Sequence, residues 1–186
     1  MYPSDHLTNI NVERITSVLE GKIRPTHFRG VTTIVAKLFN ITKPHIAVLG
    51  QKDAQQSIVI QRMVEDLDFD IKIIIAPTVR ESDGLAMSSR NVYLSATERK
   101  ESTVLYQSLQ LAKRLIDEGE RDCSIIISDM SKLITSKPSA RIDYVSISDA
   151  SSLEELVTLR PAGNILISLA VRIGTTRLID NIIFTK

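Results

Sequence analysis

A chain of 186 residues, 43% hydrophobic and 24% charged, has an ordinary globular composition, and at this length it buries roughly 70% of its unfolded surface without a disulfide or metal staple. Lys and Arg nearly balance Asp and Glu, for a formal charge of +1, which excludes the broad positive field that gathers nucleic acid or anionic lipid. No apolar run approaches the ~20 residues of a membrane span, the start Met1-Tyr2-Pro3-Ser4-Asp5-His6 lacks the basic and apolar regions of a signal peptide, and the single cysteine, Cys123, has no internal partner, so a cytoplasmic compartment is expected.

Residues 12–19 and 30–41 carry apolar side chains at helical period, the second placing Val31, Ile34, Val35 and Leu38 on one stripe, so both are predicted helices. Ile46-Ala47-Val48-Leu49 is a short apolar run ending at Gly50, the pattern of a strand buried on both faces of a parallel sheet. A helix over 53–67 and a β-branched run over 71–76, stopped by Pro77, complete a strand–helix–strand crossover. The expected fold is α/β: part of a Rossmann-type parallel sheet over 1–78, then a smaller α+β domain over 79–186.

The boundary falls in a polar loop, 78–91, too long and too rich in phosphate-binding residue types to be an ordinary connector. Ser95-Ala96-Thr97-Glu98 is a capping box that opens a helix toward Gly119, with Leu105, Leu109, Ala112 and Ile116 on its core face. Helices over 125–135 and 152–156 and strands over 142–147, 165–171 and 177–184 follow. There is no internal repeat and no low-complexity segment.

Two clusters carry candidate chemistry. Gly50-Gln51-Lys52-Asp53-Ala54-Gln55-Gln56 stands where a parallel strand ends and a helix begins, the end at which open α/β sheets bind ligands. There the helix N-terminus offers free N–H groups, Gly50 admits a ligand to the backbone, Lys52 supplies a point charge for phosphate, and Asp53 can hold a magnesium ion. Gln56, one turn beyond Lys52, can face the same ligand. The same residues also fit a plainer arrangement, with Asp53 as N-cap and Lys52 as a solvated charge.

The second cluster is Arg80-Glu81-Ser82-Asp83-Gly84-Leu85-Ala86-Met87-Ser88-Ser89-Arg90-Asn91, where adjacent hydroxyls beside an arginine on a glycine-hinged loop suit a polyphosphate. Its plainer alternative is a turn in which Arg80 and Arg90 pair with Glu81 and Asp83. His27, in Arg24-Pro25-Thr26-His27-Phe28-Arg29-Gly30, either titrates at a ligand or is structural. His6 and His45 have no partners at metal-ligand spacing and Cys123 has no evident base, so neither zinc nor thiol chemistry is expected.

Read in order, Met1-Tyr2-Pro3, Leu19-Glu20-Gly21, Arg24 to Val31, Lys37-Leu38-Phe39-Asn40, Gly50 to Gln56, Asp83 to Asn91, Tyr93-Leu94-Ser95 and Arg177-Leu178-Ile179-Asp180-Asn181 resemble the pantothenate synthetase (pantoate–β-alanine ligase) family across essentially the whole chain. The resemblance implies a nucleotidyltransferase-like fold with a C-terminal lid and a soluble enzyme of the coenzyme A pathway. It also implies a two-step ligation, in which pantoate and Mg-ATP form pantoyl adenylate and β-alanine then releases AMP. It assigns Gly50, Gln51, Lys52, Asp53, Val79, Met87, Ser88, Ser89 and Arg90 to ATP, with Val79 on the adenine side, Asp53 also near Mg2+, and Gln56 to pantoate. Lys52, Ser88, Ser89 and Arg90 are the residues implied to stabilise charge at the reacting phosphates.

The sequence departs from the family's pattern at Ala54, where an aromatic residue is usual, and at Thr26, where glycine is usual. It also lacks the family's preceding His-x-Gly-His segment, so one wall of the site is expected to be missing, and the chain is expected to self-associate through a newly exposed sheet edge, whereas the resemblance implies a dimer whose contacts lie largely in that preceding part. Two alternatives stay open. One is a non-catalytic nucleotide-binding or assembly module that needs a separate N-terminal polypeptide. The other is a different adenylate-forming or cytidylyl transferase, against which Gln55-Gln56 and Ser88-Ser89-Arg90 argue.

Overall fold

A computed structural model describes residues 1–160 and 162–185. The chain forms two compact units, Met1–Pro77 and Thr78–Lys186. The first holds α1 (Glu20–Ile23), α2 (His27–Thr42), β1 (Ile46–Gly50), α3 (Ala54–Asp66) and β2 (Lys72–Ala76). β1 and β2 pair in parallel from Ile46↔Lys72 to Gly50↔Ala76, with α3 as the crossover. The predicted strand–helix–strand unit is therefore present.

Its burial differs from expectation. The strand read as buried on both faces leaves Ile46 52% and Val48 63% exposed, and Ile74 on β2 is exposed as well. One face of this two-stranded sheet is open because α3 packs on the other.

The helix expected over 12–19 is absent: Arg14 (φ 63) and Leu19 (φ 48) are left-handed, and regular helix begins only at Glu20. Val12, Ile15 and Leu19 are nevertheless buried. What orders this segment is Gln55, whose buried amide donates to the carbonyls of Ile15 at 2.8 Å and Val18 at 2.9 Å and accepts from the Glu20 N–H at 3.0 Å. A buried amide with three partners fixes a segment that has no ladder of its own.

In α2 the inward face is Phe28, Thr32, Thr33, Ala36 and Phe39, turned from the expected stripe, and Leu38 is exposed. The two threonines can be buried because Thr32 Oγ1 donates to the carbonyl of Ile10 at 2.7 Å, while Thr33 Oγ1 accepts from the Ile10 N–H at 2.9 Å. Thr26 precedes the helix with φ 73 and ψ −12 and makes no side-chain capping bond. A β-branched residue is strained there, whereas glycine is not. Thr26→Gly is therefore expected to stabilise the fold by about 1 kcal/mol, read as a rise of roughly 2–4 °C in the thermal midpoint; an unchanged or lower midpoint would contradict the strain argument.

The second unit packs α4 (Ala96–Glu101), α5 (Val104–Asp117) and α6 (Cys123–Thr135) with an antiparallel sheet in the order β3 (Ala140–Asp149), β4 (Asn164–Ile173), β5 (Thr176–Thr185). Leu105, Leu109, Ala112 and Ile116 face its core as expected, against Ile126, Met130 and Ile134 of α6 and Ile147, Ile165, Ile167, Leu169 and Val171 of the sheet. Each fully buried Leu or Ile contributes roughly 1.5–3 kcal/mol. Burial also pushes the Cys123 thiol pKa up, with Asp122 adding to it, so the thiol stays protonated.

The capping box is formed: Ser95 Oγ accepts from Glu98 N–H at 3.3 Å, and Glu98 Oε2 from Ser95 N–H at 2.8 Å. The helix it opens stops at Glu101 and restarts at Val104. At the break, Ser102 and Thr103 turn their hydroxyls back to the carbonyls of Arg99 and Lys100. No helix forms over 152–156. Asp149 there accepts from the N–H groups of Ser151 and Ser152 and closes a turn, Leu153 is left-handed, and Glu155 bridges back to Ser148.

Candidate active site

In the first unit, β1 ends at Gly50, a 3-10 turn spans Gln51–Asp53, and α3 begins at Ala54. Ser57 Oγ donates to the Gly50 carbonyl at 3.2 Å, tying the strand end to the helix. Asp53 is exposed in the N-cap position, yet its carboxylate makes no capping bond, which argues against the plain N-cap alternative. Lys52 and Gln51 are half-buried, and Gln56 is half-buried on the first turn of α3. Its neighbour Gln55 is wholly committed to the 15–20 segment.

Gly50 has ordinary extended backbone, φ −83, and a Cβ built there would meet no atom within 4 Å. Neither backbone conformation nor internal packing requires glycine at this strand end.

His27 stands near this cluster. Burial and then Arg24 lower its pKa, while the charges of Glu20 and Asp53 oppose that shift. The link between the 24–30 turn and Asp53 was not evident in the sequence; it arises because Glu20 is tied to Gln55 of α3. A separate cavity of about 560 Å³ in this unit is lined by Asn9, Asn11, Thr16, Thr26, Phe28 and Arg29, and by none of residues 50–56.

In the second unit the 78–91 loop is ordered by ion pairs reaching well beyond it. Arg80 does not pair with Glu81 or Asp83, as the turn alternative had it. Its guanidinium grips buried Asp180 of β5 at 2.6 and 2.9 Å, donates to the Gly84 carbonyl at 3.0 Å and lies 4.3 Å from the centre of the Tyr106 ring. Gly84, at φ 91, presses against that ring, which a Cβ would overlap at 2.1 Å. Here the turn and the close approach both require glycine.

Glu81 and Asp83 are taken instead by Arg99 of α4, at 2.5 and 2.7 Å. Hydrogen bonds from Arg99, then from Asn91, hold the Glu81 carboxyl below its ordinary pKa; Arg99 does the same for Asp83, and both raise that of Arg99. The loop closes on itself where Met87 N–H donates to the Val79 carbonyl at 2.9 Å. Val79 and Met87 are thus exposed apolar neighbours.

Ser88 is extended, and its Oγ accepts from the Arg90 N–H at 3.2 Å, capping a 3-10 turn over Ser89–Tyr93. Ser89 and Arg90 are exposed, and among the described residues no carboxylate pairs with Arg90. Residues 88–90 therefore bring two hydroxyls and one guanidinium together, with the loop's acids engaged elsewhere. Sequence reasoning missed Arg99, Tyr106 and Asp180. Only the capping box, which fixes the start of α4, gave a local hint that Arg99 would be held in place.

The sequence model of one family, described as pantoate-beta-alanine ligase, matches residues 1–183. A pantothenate synthetase of Thermoanaerobacter sp. (strain X514) is 54% identical over 184 residues, which are 99% of this chain and 64% of that protein. Among solved structures, a pantothenate synthetase from Thermus thermophilus is 39% identical with a TM-score of 0.90, covering 98% of this chain and 65% of that one. A pantoate-beta-alanine ligase from Francisella tularensis, solved in complex with beta-gamma ATP and beta-alanine, is 34% identical with a TM-score of 0.70, covering 97% of this chain and 60% of that one. This chain thus spans about two thirds of the length of the relatives it matches, and within that span it belongs to the pantoate-beta-alanine ligase family.

Proposed function

We propose that this chain supplies the ATP- and pantoate-binding residues of a ligase that condenses pantoate with β-alanine. A pantoate carboxylate oxygen attacks the α-phosphorus of ATP and pyrophosphate leaves. The β-alanine amine then attacks the acyl carbon of the adenylate, the amide bond forms, the amine proton passes to solvent and AMP departs. The observation that carries this reading is the strand end itself, where Gly50 is open without internal cause and Lys52 and Asp53 stand at the start of α3.

In the first unit, Gly50, Gln51, Lys52 and Asp53 contact ATP and Gln56 contacts pantoate. In the second, Val79 offers an apolar surface to adenine, while Met87, Ser88, Ser89 and Arg90 form the loop that faces phosphate oxygens. We read Lys52 in the first unit, and separately Ser88, Ser89 and Arg90 in the second, as groups that oppose charge on phosphate. The exposed Asp53 carboxylate, which makes no capping bond, fits magnesium, an ion that keeps most of its waters and takes one or two carboxylates together with phosphates. Bound there, magnesium would neutralise phosphate charge. The domain assignment follows: residues 1–78 form the nucleotide and pantoate part and 79–186 the lid. Among the described residues no helix is long and apolar enough to cross a membrane. By its likeness to a biosynthetic ligase we place the protein in the cytoplasm.

A second reading, that the chain is a module needing a separate polypeptide to catalyse anything, is favoured by the open face of the β1–β2 sheet with Ile46, Val48 and Ile74 exposed. The same face supports self-association into a homo-oligomer. One assay separates the readings: AMP release from Mg-ATP, pantoate and β-alanine by this chain alone, and again with the part of the Thermoanaerobacter relative that lies outside the match. Turnover only in the mixture is the expected result. Turnover by the chain alone would remove the module reading, and absence of both AMP release and Mg-ATP binding would remove the ligase reading.

A further inference from the structure

We propose that Arg99 is a positioning residue for the 78–91 loop, holding Glu81 and Asp83 so that they do not neutralise Arg90. The proposal rests on the reading of Ser88, Ser89 and Arg90 as phosphate-facing. Arg99 Nη1 donates to Asp83 Oδ2 at 2.7 Å, and Nη2 to Asp83 Oδ1 at 3.2 Å and Glu81 Oε2 at 2.5 Å. The other Glu81 oxygen accepts from Asn91 Nδ2 at 2.7 Å. Glu81 therefore reaches the residue next to Arg90 but spends its charge on Arg99.

The loop's other arginine, Arg80, is committed to Asp180. Among the loop's own cations, that leaves Arg90 to meet an anionic ligand. Were Arg99 uncharged, Glu81 and Asp83 would have Arg90 as the remaining unpaired cation of their loop, and would also repel phosphate directly. A planar guanidinium holds two carboxylates in a fixed fork geometry, which the compact, rotatable ammonium of a lysine does not preorganise. α4 sets its position: the capping box fixes the first turn, and Arg99 N–H donates to the Ser95 carbonyl at 2.8 Å.

The test titrates Mg-ATP calorimetrically into the whole chain and its variants. Arg99→Gln is expected to weaken binding by about tenfold, the order of one lost charge-assisted contact, and the loss should shrink as salt is added. Arg99→Gln combined with Glu81→Gln and Asp83→Asn restores affinity to within about threefold of the parent, a rescue that a purely structural role would not give. Parent-like binding by Arg99→Gln, or a triple variant as weak as the single one, overturns the proposal.

Modification by phenylglyoxal, mapped on peptides without nucleotide, tests the same arrangement independently. Arg90 should react faster than Arg99 in the parent, slow in Arg99→Gln and recover in the triple variant. An Arg90 rate unmoved by Arg99→Gln overturns the proposal. If the parent binds no Mg-ATP the phosphate reading falls, and the modification rates alone then decide the role of Arg99.

Discussion

Lys52→Ala lowers AMP release in the complemented assay by about 10²–10³-fold, the loss expected when one preorganised group opposing transition-state charge is removed. Lys52 lies on the 3-10 turn between β1 and α3, outside the buried core, so the thermal midpoint should barely move. Ser88→Ala is expected to reach a loss of similar order by a different route, because Ser88 Oγ also caps the turn that carries Ser89 and Arg90. Restoring the cap with Ser88→Asn should recover loop order but not rate, since an amide does not reproduce the hydroxyl at the phosphate. Full turnover by Lys52→Ala or Ser88→Ala would take that residue out of the site.

Asp180→Ala is expected to destabilise the protein by about 3–5 kcal/mol, the penalty for breaking a buried ion pair by removing one partner. For a chain of this size that lowers the thermal midpoint by roughly 10 °C or more. Asp180 is 2% exposed and holds both terminal nitrogens of Arg80. Its loss strands a guanidinium already enclosed by Tyr106 and the Gly84 carbonyl. Replacing both partners, as Arg80→Met with Asp180→Leu, should recover much of the loss, because an apolar pair leaves no unmatched charge. A midpoint drop of only a degree or two for Asp180→Ala would show that solvent screens the pair.

What could be read from the sequence was what depends on neighbours in the chain. The Ser95 capping box, the core face of α5 and the parallel crossover from β1 through α3 to β2 follow from spacings of a few residues, and each is present. The family could be read for a similar reason, since its motifs are continuous stretches. The failures trace to partners far along the chain. The 12–19 segment has helical spacing, but it is held by Gln55, and Arg14 and Leu19 adopt left-handed backbone.

Threonines on the buried face of α2 hid its true orientation, because their burial depends on hydrogen bonds with Ile10. The second cluster shows the same division. Its hydroxyls and Arg90 could be picked out by residue type, whereas the choice of Asp180 for Arg80 and of Arg99 for Glu81 is made by tertiary packing. Local composition suggested only the nearer, incorrect pairings.

The reversal between β4 and β5 bears on how the second unit folds. It pairs Ile173 with Thr176 around Gly174, which is left-handed at φ 57, and the ladder runs without interruption to Asn164↔Thr185. Every added pair encloses only slightly more chain than the last, so the entropy of closure is met in small steps. The β1–β2 pair has no such path, because parallel strands must close a whole helical crossover before their first bond forms. Within its own unit the β4–β5 hairpin closes a shorter connection than β3–β4, whose strands are separated by residues 150–163, so it is the cheaper strand pairing. A residue that stiffens the turn at Gly174 without left-handed backbone is expected to destabilise the product and, if this hairpin forms early, to slow folding.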